Sequence, residues 1–70
     1  MDRREAEYRG HQILVEADER SPNCWGWSYL IDGRTSSKSH TALCPDIEDA
    51  LRQGMAAAQS RVDDIEAKAA

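Results

Sequence analysis

Long apolar runs are missing from this chain, and no stretch approaches the ~20 residues that span a bilayer. The first residues, MDRREAEYRG, are charged with no apolar segment behind them. That pattern excludes a secretory signal there and leads us to expect a cytoplasmic protein. Cysteine is scarce: the two residues, Cys24 and Cys44, are too few for a disulfide scaffold. In the cytoplasm both are expected as reduced thiols. The chain has no Cys-x-x-Cys pair, no phosphate-binding glycine loop, no paired catalytic carboxylates and no metal-binding helix motif. Repeats and low-complexity segments are absent as well. Basic charge is outweighed by acidic, giving a formal net charge of −4. This argues against general affinity for DNA, RNA or anionic membranes.

What remains is a short chain with mixed charges. Its 70 residues allow one domain, 1–70, with 1–7 and 67–70 expected to fray. So short a chain buries a small fraction of its surface, and such domains often rely on a metal or a partner subunit. Arg9 to Ala17 reads as a first strand. His11, Ile13, Val15 and Ala17 alternate with Gln12, Leu14 and Glu16. The polar stretch Asp18 to Asn23 contains Pro22 and reads as a loop. Trp25 to Leu30 is a second strand, with Trp25, Trp27 and Tyr29 on one face and Gly26, Ser28 and Leu30 on the other.

Asp32-Gly33 marks a hairpin. A two-residue loop would pair Trp27 with Lys38 and Trp25 with His40. A type I turn with Gly33 left-handed would pair Tyr29 with Thr35, Trp27 with Ser37 and Trp25 with Ser39. We favour the second, because it keeps Lys38 off the core face and sets hydroxyl side chains beside the rings. The third strand, Arg34 to Thr41, is polar enough to be an edge, guarded by Lys38.

The rest reads as a helix. Asp46 stands as N-cap, with Glu48 and Asp49 in the first turn, where acids are favoured. Ile47, Leu51, Met55, Ala58, Val62 and Ile65 form an apolar stripe. Gly54 beside that stripe costs about 1 kcal/mol relative to Ala, so a close approach to a tryptophan ring is expected there. The expected fold is α+β: a three-stranded antiparallel β-meander with one long C-terminal helix on one face. Trp25, Trp27 and Tyr29 are then core rather than a stacking platform, because the helix stripe needs something to cover.

Three segments together resemble a known pattern: YRGHQILVEA with its Tyr-x-Gly, WGWSYLIDG led by tryptophan, and the alanine-rich helix ending in SRVDD. The chain resembles a group of small uncharacterised bacterial proteins of β-β-β-α architecture, a domain of unknown function. The resemblance implies the fold and a bacterial source, and implies no activity. The helix-covered sheet is also similar to HicB-like antitoxin domains, though this chain lacks the DNA-binding extension many of those carry.

Candidate sites are few. Leu14 and Leu30 make an apolar patch on the face away from the helix, which a second copy or another protein would cover. Arg34, Lys38 and His40 form a basic row on the third strand. With Leu14 and Leu30, Arg34 and Lys38 are the interaction candidates. His11, Cys24, His40 and Cys44 are zinc-type ligands, and Cys24, His40 and Cys44 would be the set for a zinc-stabilised mini-domain. A Cys24–Cys44 disulfide is geometrically conceivable. A catalytic Cys44 paired with His40 is opposed by flanking acids. No cofactor and no catalytic residue is expected. The expected function is a non-enzymatic protein-interaction or regulatory domain, a homodimer or bound to a protein partner. The alternatives are a nucleic-acid-binding module on the basic third strand and the zinc mini-domain.

Overall fold

The computed structural model describes residues 2–39 and 44–69. Its elements run β1 (Asp2–Tyr8), β2 (His11–Ser21), β3 (Cys24–Ile31), β4 (Thr35–Lys38) and α1 (Ile47–Ala69). The strands form one antiparallel sheet in the order β1-β2-β3-β4, with α1 packed chiefly on β2 and β3. The fold is α+β with a C-terminal helix, but the sheet has four strands where the sequence led us to expect three.

The extra strand is β1. Its sequence, DRREAEY, offers only Ala6 and Tyr8 as apolar residues, both half-buried on the helix side. Such a polar edge strand looks like a frayed end when read alone. Its turn to β2 is also disguised. Arg9 and Gly10 both take positive φ, 52° and 83°. That is the geometry of a two-residue type I′ turn, which usually carries Asn or Asp where this chain has Arg. β2 therefore begins at His11 rather than Arg9. It also runs on through Asp18 to Ser21, with a bulge between Glu19 and Ser21, so the loop shrinks to Pro22 and Asn23.

The β3–β4 hairpin takes neither of the two expected registers. Ile31 pairs with Thr35, Tyr29 with Ser37 and Ser28 with Lys38. Asp32 (φ 54°) and Gly33 (φ 69°) turn the chain, and the Arg34 N–H donates to the Ile31 carbonyl at 3.0 Å. The pairing is shifted two residues from the favoured register, so every residue keeps its expected face. The shift has a reason: it draws Ile31 out of the loop and into the core, where it is 1% exposed. Arg34 consequently lies in the turn, and β4 ends at Lys38. Residues 40 and 41, also expected in that strand, lie outside the described residues.

Asp46 caps α1 as expected. Its Oδ1 accepts the Asp49 N–H at 2.9 Å, and its carbonyl accepts the Ala50 N–H at 3.2 Å. The helix buries Ala50, Leu51, Gly54, Ala58 and Val62, while Ile47, Met55 and Ile65 are half-buried. The deepest line is thus Ala50–Gly54–Ala58–Val62, which keeps Ala58 and Val62 of the expected stripe and adds Ala50 and Gly54. Gly54 allows the approach. A Cβ there would lie 2.6 Å from Val15 Cγ1 and 3.0 Å from Trp27 Cβ. Ile13, Val15, Ala17 and Ile31 supply the sheet side of the core, with Cys44 closing it at 1% exposure. Trp25, Trp27 and Tyr29 pack against this core from its flank, half-buried, with Trp27 and Tyr29 stacked at 6.0 Å between centroids.

Candidate interaction face

The helix covers one face of the sheet and leaves the other without a layer among the described residues. Alternation assigns the side chains to the open face, and the registers align them into cross-strand rows. One row is Glu5, Leu14, Leu30 and Ser36. The next is Arg3, Glu16, Ser28 and Lys38. The two leucines pair across β2 and β3 at the centre, with carboxylates, hydroxyls and cations around them.

Leu14, Glu16, Ser28, Leu30, Ser36 and Lys38 line a shallow concavity of about 480 Å³. Both ends of the face are tied off by polar links. At one end Arg20 lies across Gly26, where a side chain would collide with the guanidinium, and Arg20 donates to the Ser39 carbonyl and to Asp18. At the other end the Gln12 amide donates to Glu7 at 3.3 Å. Leu14 and Leu30 are half-buried even without a covering layer. The arrangement suits contact with a flat partner surface that has an apolar centre and a polar rim.

Three of the four expected interaction residues, Leu14, Leu30 and Lys38, come together here. Arg34 is exposed in the β3–β4 turn and does not line the concavity. The basic row is therefore interrupted, and Lys38 shares its cross-strand row with Glu16.

The zinc candidates fall elsewhere. Trp25 and Cys44 exchange backbone hydrogen bonds, each 2.7 Å, in a bridge that stitches the segment before α1 onto β3. Burial pushes the Cys44 thiol up, and Asp49 and Asp46 push it the same way, opposite to the shift that activates a thiolate. Cys24 is half-buried, and the two cysteines form no disulfide. His40 lies outside the described residues. Among the described residues no group of three or more His, Cys, Asp or Glu side chains is placed to hold a metal ion.

A second polar cluster has no counterpart in the sequence pattern. The His11 Nδ1 lies 2.5 Å from Asp32, and its Nε2 lies 3.0 Å from Glu66. The hydrogen bond to Asp32, then that to Glu66, raises the His11 pKa. Asp32 also accepts the Gln12 N–H, and that bond, then His11, lowers its pKa. Beside it the Tyr8 hydroxyl and the Arg9 guanidinium both donate to Asp63, at 3.0 and 2.9 Å. Arg9 and then Tyr8 lower the Asp63 pKa. The His11 donors point to opposite sides of the ring, so the cluster clamps the end of α1 to the two turns rather than converging on one ligand. Its partners lie tens of residues apart in the chain, so no local signal announces it.

No family model matches the chain, and neither the curated proteins nor the solved structures contain a match. Among the described residues no helix is long and apolar enough to cross a membrane.

Proposed function

We propose that this chain is a non-enzymatic protein-interaction or regulatory domain of the bacterial cytoplasm. It meets its protein partner through the open sheet face and assembles as a homodimer. One observation carries the reading: Leu14 and Leu30 lie side by side in a polar-rimmed concavity that no element of the described chain covers. A leucine pair at the centre of a charged face costs solvation unless something covers it. The site offers contact area, one carboxylate and one cation, which is the equipment of a docking surface.

The test is a double substitution, Leu14→Asp with Leu30→Asp. A protein recovered with the wild type is purified and titrated against both forms. Loss of binding by the variant, at unchanged helical circular dichroism, supports the open face. Equal affinity for both forms would remove it from the interface.

A further inference from the structure

The outer edge of β1 is the longest sheet edge left open among the described residues. Which of its backbone groups face outward follows from the neighbouring strands. The Gln12 carbonyl accepts the Asp32 N–H, and the Gln12 N–H donates to the Asp32 carboxylate. Both Gln12 groups thus point away from β1. Gln12 pairs with Glu7, so this is a wide pair, and the Glu7 N–H and C=O point outward. Alternation gives the same orientation to Glu5 and Arg3. The opposite edge is poorer. Ser39 donates to the Trp27 carbonyl, so β4 turns only the groups of Ser36 and Lys38 outward.

We propose that a second copy of this chain pairs its β1 antiparallel with the first, joining the two sheets edge to edge about a two-fold axis. This rests on the homodimer part of the reading above and names its surface. The symmetry is restrictive. Both helices must stay on one side of the joined sheet, so side chains of the same face must meet. An axis at Glu5 sets Arg3 against Glu7 on both sides but places Glu5 against Glu5 of the other copy at the centre of the hydrogen-bonded row. An axis at Ala6 sets Glu5 against Glu7. An axis at Arg4 sets Arg3 against Glu5 on both sides of the centre, and those residues carry the outward backbone groups that exchange hydrogen bonds.

On the helix side of that centre the two Arg4 side chains meet. Each is already bonded to its own Glu48 at 3.2 Å, so two guanidinium groups and two carboxylates balance there. Arg3, Arg4 and Glu5 are all exposed, and α1 sits over β2 and β3, leaving room for the second β1. The joined sheet keeps both open faces free and side by side.

Native mass spectrometry and light scattering across a dilution series test this, with Glu5→Arg, Arg3→Glu, the double variant and Glu7→Arg. Circular dichroism confirms that each variant folds. The expected result is a dimer whose dissociation constant rises roughly tenfold with Glu5→Arg and recovers in the double variant. Glu7→Arg should leave it unchanged. Recovery by charge exchange is the signature that mere destabilisation would not give. A wild type that stays monomeric at every concentration would overturn both the homodimer and this edge. A dimer indifferent to Glu5→Arg but split by Leu14→Asp would overturn the edge alone and place the contact on the open face. Loss with Glu7→Arg would overturn the Arg4-centred pairing.

Discussion

The two faces of the sheet are made from alternate residues of the same strands, yet only one is covered among the described residues. On the covered face Ile13, Val15, Ala17 and Ile31 are at most 2% exposed. On the open face Leu14 and Leu30 remain half-exposed among charges. Leu30 and Ile31 are neighbours of nearly equal hydrophobicity. What separates them is which side α1 lies on, so burial here is a property of position, not of residue type. The covered face is closed by small residues on the helix, Ala50, Gly54 and Ala58, which bring the backbone of α1 close to the sheet. The open face has no such complement among the described residues, and its leucine pair is therefore the place to look for a partner.

The neighbouring pair gives the sharpest test of this contrast. Ile31→Ala is expected to cost about 2–5 kcal/mol, enough to threaten a domain this small. Leu30→Ala should cost about 1 kcal/mol or less, since water already reaches the side chain. Urea midpoints at low protein concentration measure both. Equal losses would mean that Leu30 is covered in solution too.

Gly54→Ala tests how tightly the covered face is closed. Alanine gains about 1 kcal/mol of helix propensity. Its Cβ would press on Val15 and Trp27, and overpacking of this kind costs about 1–3 kcal/mol. A net loss of about 1 kcal/mol is expected in thermal melts. A stabilised variant would show that the helix rides higher above the sheet than these distances require.

Much of the covered face was legible in the sequence for local reasons. Alternation in β2 and β3 has a fixed period, Asp46 caps through its own neighbours, and a glycine in mid-helix signals a close approach. Leu14, Leu30 and Lys38 followed from the same alternation. β1 was not legible, because an edge strand needs no apolar face and an Arg-Gly turn lacks the usual turn residue. Ile31 carries no sequence signal of its own, because it adjoins the turn and only the register decides whether it belongs to loop or strand. His11 was illegible for a different reason. Asp32 and Glu66 lie 21 and 55 residues away, and only the completed fold brings them to it.

That cluster marks the rim where the covered face meets water, and its effect on stability should be the smallest of these. Folding holds the His11 pKa above its ordinary value near ~6.5. Below ~6.5 both the folded and unfolded chains carry the proton, and the stabilisation from Asp32 and Glu66 is complete. As pH rises from ~6.5 through the raised folded value, the native state holds more protons than the unfolded one, and the stabilisation is lost. Asp32 works in the other direction. Its carboxyl is lowered, so its contribution is present above ~3.9 and is lost as pH falls through the folded value. Both contributions coexist between roughly pH 4 and 6.5. Replacing His11→Gln should therefore lower Tm most within that window, with the gap to wild type narrowing as pH rises beyond it. A gap that stays constant on the alkaline side would show that the imidazole is neutral when bound. The His11 side of the rim would then be held by ordinary hydrogen bonds, leaving the Arg9–Asp63 pair as the ionic contact at that edge.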